Sequence, residues 1–339
     1  MKKNRLIGVS IAALVVASLF VAGPLEAALN TTTLDGASSS AGPAVDTQVL
    51  MDDVRTLASP ALAGRRTGTQ GSKLAQDYIA RRFGELGLKP YGSGYAMPFS
   101  FTHASPSGLS GPAKTFKTKY PSAANMVGYI VGSANPERIM VVSAHYDHLG
   151  ESGGVVYPGA DDNASGVASM LAIAGYFKDN PPQHTIVFVA FDAEELGLRG
   201  AETFLKALPF PRERLALNLN LDMVSRNDDK EIWAAGVFHN PALKSLVEAA
   251  ARRSTLKVRL GHDKPLLFAG AREDWTGSSD HGAFHAAGVP FLYFGVDDHV
   301  DYHQPTDVAE KIDPVFYSQV TSLLIDVAAM ADRKLQSIK

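Results

Sequence analysis

The chain contains no cysteine in 339 residues. That excludes a disulfide framework, a thiolate-bound zinc site and an N-terminal lipid attached through cysteine. It also has no basic surplus. Lys and Arg total 32 against 35 Asp and Glu, a net charge of -3, which argues against a nucleic-acid binder. Internal repeats are missing as well. Beyond the first 30 residues no stretch is expected to approach the ~18 apolar residues that span a bilayer.

What is present is ordinary globular composition, 45% hydrophobic and 20% charged, enough for one large core or two modest ones. The N-terminus has the plan of an export signal. "MKKNR" is a positive n-region and "LIGVSIAALVVASLFVAG" an apolar h-region. A small residue is preferred at the third position before a cut after Ala27, where Leu25 sits, and the h-region is long, so an uncleaved anchor is the alternative to cleavage. Residues 1–28 are therefore read as signal peptide or N-terminal anchor. The remainder is expected outside the cytoplasm, periplasmic or secreted. Residues 29–44, small and polar, read as a linker, and 45–339 as a single catalytic domain.

Two amphipathic helices are predicted over 46–59 and 71–87. The first places Val49, Leu50, Val54 and Leu57 on one face; the second groups Leu74, Tyr78, Ile79 and Phe83. Residues 104–121 show neither helical nor strand period and read as a surface excursion. From 125 onward strands ("NMVGYIV", "RIMVVSA", "TIVFVAF", "LALNLNL", "EIWAA", "VPFLYFG") alternate with helices over 164–178, 199–208, 241–254 and 315–335. This predicts an α/β fold with a largely parallel, buried sheet. If the main strands are parallel, their polar ends gather at one carboxyl edge, where open α/β sheets bind ligands.

Five segments meet at that edge: "HYDH" (145–148), "ADDN" (160–163), "DAEE" (192–195), "LDM" (221–223) and "YHQPTD" (302–307). Each has a plain structural explanation. Asp162 or Asn163 can cap the following helix, Glu194 and Glu195 can face a helix dipole, Asp222 can end a strand, and a lone histidine is more often structural. A cap, however, needs one short polar side chain, not three in a row. Crowded carboxylates raise one another's pKa unless a cation joins them. Histidine with carboxylate and no cysteine suits zinc or a similar divalent ion. The supply of ligands exceeds one tetrahedral site and fits a pair of ions sharing a carboxylate. Adjacent glutamates cannot easily point the same way, so one can bind metal while the other faces water. Asp147 can accept the second N–H of His145.

These motifs resemble the co-catalytic zinc exopeptidases, a family that includes bacterial leucyl aminopeptidases, glutamate carboxypeptidases and, as a divergent branch, glutaminyl cyclases. The resemblance runs from about residue 45 to the end. It is strongest over "SAHYDH", "PGADDNASG", "FDAEELGLRGA", "LNLDMV", "SSDHGAF" and "DYHQPTD". It implies a three-layer α/β/α sandwich with a central mixed, mostly parallel sheet, and two Zn2+ ions bridged by Asp162. His145 and Asp222 would complete one ion, Glu195 and His303 the other. Glu194 would be the general base acting on a water between the ions, and Asp147 would orient His145. The Asp162–Asn163 bond would be cis. Asp280, His281 and Trp275 would lie near the substrate. Trp275 and Thr276 stand where some relatives carry a tyrosine, which removes one oxyanion contact.

The activity implied is hydrolysis of the N-terminal peptide bond of peptides or small proteins with a free N-terminus. A carboxypeptidase or dipeptidase is the alternative within the family. It would need a basic group for the substrate carboxylate, with Arg65, Arg66, Arg199 and Arg272 as candidates; Arg199 is better read as supporting its own turn. A glutaminyl cyclase would use one zinc, and complete "HYDH" and "GADDNASG" segments argue against it. A receptor that has lost its ligands is disfavoured for the same reason. Other metal motifs fail on single residues: Ser143 stands at the first histidine of a His-x-His-x-Asp-His string, and Gly282 replaces the glutamate of an H-E-x-x-H helix. His285 reads as structural, and His148 as lining the site. Phe284, Phe291, Tyr302 and Trp275 are candidate pocket walls.

Overall fold

The structure is a computed structural model, and it describes residues 32–35, 42–106, 115–265 and 273–338. The expected signal or anchor segment and Arg272 lie outside the described residues. In chain order the elements are β1 (Thr32–Asp35), α1 (Thr47–Leu57), α2 (Gln70–Glu85), β2 (Ala96–Pro106), β3 (Thr115–Ile130), β4 (Asn135–His145), β5 (Gly150–Ser152), β6 (Val155–Tyr157), α3 (Gly166–Asp179), β7 (His184–Phe191), α4 (Arg199–Lys206), β8 (Leu215–Leu221), β9 (Glu231–Ala235), α5 (Lys244–Ala251), β10 (Lys257–Leu260), α6 (His281–Ala286), β11 (Phe291–Gly295) and α7 (Pro314–Lys334).

Nine strands form one mixed sheet in the order β1-β10-β9-β11-β8-β4-β7-β3-β2. At its centre β11, β8, β4 and β7 run parallel, and the outer strands bring in antiparallel pairing. The period of two in β4 and β7 explains the layers. Met140, Val142 and Ala144, with Ile186, Phe188 and Ala190, join the core under α1, α2, α3, α5 and α7. Ile139 and Val141, with Val187, Val189 and Phe191, join the core under α4 and α6. The result is the three-layer α/β/α sandwich. Its parallel strands are buried on both faces and mainly apolar, with Ser143, Asn218 and Asn220 as buried polar exceptions.

Several expectations need correction. Of residues 104–121, 107–114 lie outside the described residues, and the rest belong to β2 and β3, paired antiparallel from Ala96↔Met126 to Pro106↔Thr115. Residues 116–119 of β3 are all exposed, Phe116 among them, so no buried face imposes alternation there. Within the expected linker, Thr32–Asp35 pairs antiparallel with β10 as an edge strand. In α1, capped by Asp46 through the N–H groups of Gln48 and Val49, Met51 is buried and Val49 exposed; in α2, Leu74 is exposed. Helix α7 is long and apolar enough to cross a bilayer by length and composition, contrary to expectation, yet most of it is buried against α1, α3 and α5.

Candidate metal centre

The central strands β4, β7 and β8 end at His145, Phe191 and Leu221, and the polar residues follow at once: His145, then Asp192 to Glu195, then Asp222. Since these strands are parallel, the segments share one edge, and β11 feeds the loop that carries His303. The backbone bends sharply around them. Ala193, Met223 and His303, none of them glycine, take left-handed φ values of 60°, 56° and 55°. Such conformations are uncommon and cluster where a fold over-determines a site.

Asp162 is the hub. Its Oδ1 lies 3.4 Å from His145 Nε2, and its Oδ2 lies 3.1 Å from His303 Nε2 and 3.5 Å from His148 Nδ1. His145 Nε2 is also 3.2 Å from Asp222 Oδ1, and His303 Nε2 is 3.4 Å from Glu195 Oε2. Asp161 points the other way. Its carboxylate accepts hydrogen bonds from Ser225 N (2.8 Å), Ser225 Oγ (2.7 Å), Ser165 Oγ (3.2 Å) and His299 Nε2 (3.1 Å). The two aspartates are separated by local restraints. Asp307 accepts from both Asp161 N and Asp162 N, and the Asp162–Asn163 bond is cis. Asn163 donates to Leu221 O and accepts from Gly166 N, tying the turn to the end of β8. Gly159, with φ 57°, has no room for a Cβ, which would meet the Asp162 carbonyl and the His148 ring.

Asp147 orients its neighbours differently from expectation. His145 Nδ1 donates to the Asp147 backbone carbonyl at 3.1 Å, whereas the carboxylate is 3.8 Å away. The carboxylate instead accepts from Glu194 N at 3.1 Å and Thr67 Oγ1 at 3.3 Å. The carbonyl fixes the His145 tautomer, so the Nε2 lone pair faces Asp162 and Asp222.

The electrostatics are those of a crowded, dry acidic cluster. Burial pushes Glu194 well above the usual carboxylate range, with His145 pulling against it and Asp280, Asp222 and Glu195 adding to it. Burial likewise raises Asp147, reinforced by Asp192, and lifts Asp280 to about 7. His303 is raised to about 10, because Asp162 and Glu195 outweigh its burial. For Glu195, His148 and His303 overcome burial and hold the carboxyl low. The cluster opens to solvent at His303, whose side chain is 35% exposed.

The donor chemistry fits divalent metal. His145, Asp162 and Asp222 form one group with ligand atoms within 4.8 Å of one another, and His148, Asp162 and Glu195 form a second; Asp162 belongs to both. The buried atoms Asp162 Oδ2, Glu195 Oε1 and both His148 nitrogens make no hydrogen bond. Buried polar atoms without partners are costly unless something else satisfies them. Imidazole and carboxylate donors without thiolate suit zinc.

Asp280 is buried beside the cluster and neither of its oxygens has a hydrogen-bond partner. His281 turns away, its Nε2 donating to Trp275 O at 2.7 Å and its ring against Tyr293 and Phe291. Trp275 stacks on His262 with ring centroids 3.7 Å apart. Of the arginines, Arg65 is fully buried and donates to the carbonyls of Leu57, Tyr146, Pro158 and Gly159. It is a strut beneath "HYDH" and "GADDN", fully buried and so out of a substrate's reach. Arg199 donates to Glu202 within its own helix. Sequence reasoning passed over Arg65 as a strut and missed Thr67, Asp307, His299 and Tyr293, whose hydroxyl donates to Asp222 O. Asp307 alone carried a signal, as the last residue of "YHQPTD".

With this geometry established, the comparisons identify the class: residues 125–328 match peptidase family M28, and the chain belongs to that family. Among its relatives is the aminopeptidase YwaD of Bacillus subtilis, 33% identical over 227 residues, which are 62% of this chain and 46% of that protein. The chain thus spans about half the length of the curated relatives it matches. Among solved structures, a zinc aminopeptidase from Bacillus subtilis superposes with TM-score 0.64 at 19% identity, covering 83% of this chain and 94% of that one. A glutaminyl cyclase from Fimbriiglobus ruber superposes with TM-score 0.60 at 19% identity, covering 86% and 97%. These two likenesses establish the shared fold.

Proposed function

We propose that the chain is a di-zinc aminopeptidase that removes the N-terminal residue of peptides with a free N-terminus. The observation that carries this is the pair of histidine–carboxylate groups joined through Asp162, with Glu194 beside them. His145, Asp162 and Asp222 would hold one ion, and Asp162, Glu195 and His303 the other. Zinc, when bound, supplies Lewis acidity toward the scissile carbonyl and toward water.

The chain's own residues supply the rest. Glu194 is buried with a raised pKa, suited to take up a proton and release it. It accepts the proton of the attacking water as the water oxygen bonds to the carbonyl carbon. It then hands that proton to the departing amine nitrogen as the C–N bond breaks. Asp147 positions Glu194 through its backbone N–H. Asp280, buried beside the cluster with neither oxygen hydrogen-bonded among the described residues, would suit the substrate's ammonium group better than a carboxylate. A carboxypeptidase reading is weakened because Arg65 is committed to backbone carbonyls.

Glu194→Gln is expected to keep its zinc and lose two orders of magnitude or more in kcat. Metal analysis and turnover of the variant check this, and near-normal turnover would remove Glu194 from the role. Free peptides should be cleaved and N-acetylated ones spared; equal rates on both would defeat the aminopeptidase reading. A saturated count of one zinc per chain would favour cyclisation chemistry instead.

A further inference from the structure

We infer that the outer part of β3 is a docking strand for the substrate chain beyond the scissile bond, which adds to it as an antiparallel strand. The inference rests on the aminopeptidase reading and names its substrate class, peptides long enough to lie along that strand.

β3 pairs with β7 only from Met126↔Ala190 to Ile130↔Ile186, and β7 stops at Phe191. Just past that row Ala124 N donates to the Asp192 carboxylate at 3.0 Å. The rest of β3, out to Thr115, has β2 as its partner on one side, and among the described residues no strand lies on the other. That open side is where β7 would have run. It therefore flanks the segment after β7, which carries Glu194 and Glu195. From Thr115 to Ala123 the edge is roughly 27 Å long, room for about eight extended residues. Phe116, Lys117, Thr118 and Lys119 are all exposed along it. An unpaired edge is a template for main-chain hydrogen bonds, the mode in which extended peptides add to sheets.

The base of this edge is fixed to the catalytic segment. Phe99, Ala123 and Ala193 form one buried cluster, with Phe101 and Leu196 packed against it. His103 Nδ1 lies 3.1 Å from Leu196 O, and Phe101 stacks on Tyr120 with ring centroids 4.9 Å apart. The direction also suits a peptide bound by its N-terminus. A chain whose ammonium group lies beside Asp280 would run outward in the direction of β7, antiparallel to β3. Residues 98–106 and 115–123 contain no Asp, Glu or Arg, and Lys117 and Lys119 are their only lysines. Both lie toward the outer end, where the carboxylate of a short peptide arrives. Phe116, 64% exposed, offers an apolar contact there.

The test compares three substrates on wild type and on the double variant Lys117→Glu, Lys119→Glu. One is leucine p-nitroanilide, which has no chain beyond the scissile bond. The second is an octapeptide with N-terminal leucine. The third is the same octapeptide with its outer backbone amides N-methylated, which removes main-chain donors. On wild type, N-methylation should raise KM about tenfold, as the loss of one or two net hydrogen bonds requires. In the variant the plain octapeptide's KM should rise several-fold with kcat unchanged, and the anilide's constants should stay put. Equal KM for the two octapeptides on wild type, or equal losses on anilide and octapeptide in the variant, would overturn the inference and leave the aminopeptidase reading standing. Wild type that cleaves neither the anilide nor the plain octapeptide defeats that reading itself. Sedimentation of wild type as a dimer that the variant disperses would give the edge to a second copy of the chain and also overturn the inference. If the variant does not fold, the two octapeptides on wild type decide.

Discussion

Adjacent residues can serve opposite ends of one site. Asp161 and Asp162 differ by one position, but the first is consumed by Ser165, Ser225 and His299 and the second faces His145, His148 and His303. Arg65 shows a related economy. Burial lowers its pKa to about 10 while Asp162, Asp307 and Asp147 hold it up, and it touches none of them; it ties the loops through carbonyls. His281 supplies a test at this scale. Burial lowers its pKa from 6.5 to about 4, despite the hydrogen bond to the Trp275 carbonyl. The native chain refuses a proton that the unfolded chain accepts between those values. Its contribution is thus full above about pH 6.5 and is lost toward pH 4, on the order of 3 kcal/mol in total. His281→Gln keeps a donor for the Trp275 carbonyl and has no titration. Denaturant melts of both proteins at saturating zinc should converge as pH falls from 7 to 4.5, and parallel pH profiles would contradict the assignment.

At the scale of elements, the parallel centre of the sheet carries a buried polar ladder. Asn218 Nδ2 donates to Ser143 Oγ at 2.9 Å, Ser143 Oγ donates to Asn220 Oδ1 at 2.6 Å, and Asn220 Nδ2 donates to Ser279 Oγ at 3.0 Å. The ladder links β4, β8 and the turn before α6. Ser143→Ala strands a donor on Asn218 and an acceptor on Asn220 and should cost about 1–3 kcal/mol. Urea unfolding should show a lower midpoint at constant slope; an unmoved midpoint would show the ladder to be slack. The same elements show what the sequence reveals. β4, β7, β8 and β11 are buried on both faces, so each reads as a mainly apolar run, broken in β4 by Ser143 and in β8 by Asn218 and Asn220, with site residues following where the runs of β4, β7 and β8 stop. β10 alternates but over four residues, α6 has only six, and residues 116–119 of β3 are exposed, so none gives a pattern long enough to read. The gathering of His145, Asp162, Glu195, Asp222 and His303 was visible because each follows a strand end or belongs to a dense motif. The use of the Asp147 carbonyl was not, since every residue has one. Nor was Arg65, whose partners at Tyr146, Pro158 and Gly159 are backbone atoms more than 80 positions away.

At the scale of the molecule, the acids around Asp162 are a liability that bound cations relieve. A ligand held by the native state alone adds about 4 kcal/mol when present at a thousand times its Kd. Chelation should therefore lower the melting temperature and added zinc should restore it. A melting temperature indifferent to chelator and to zinc would mean that the cluster is not a metal site. One further consequence follows from the order of strands in the sheet. His145 belongs to the middle of the chain and His303 comes late, yet they meet across Asp162 only when β11 has docked on β8. During synthesis the His303 loop emerges after His145, Asp162, Glu195 and Asp222, so a chain stopped before it lacks one side of the cluster. On the proposed function, the chain would stay inert until β11 and its loop are in place, with the strand order serving as the safety catch.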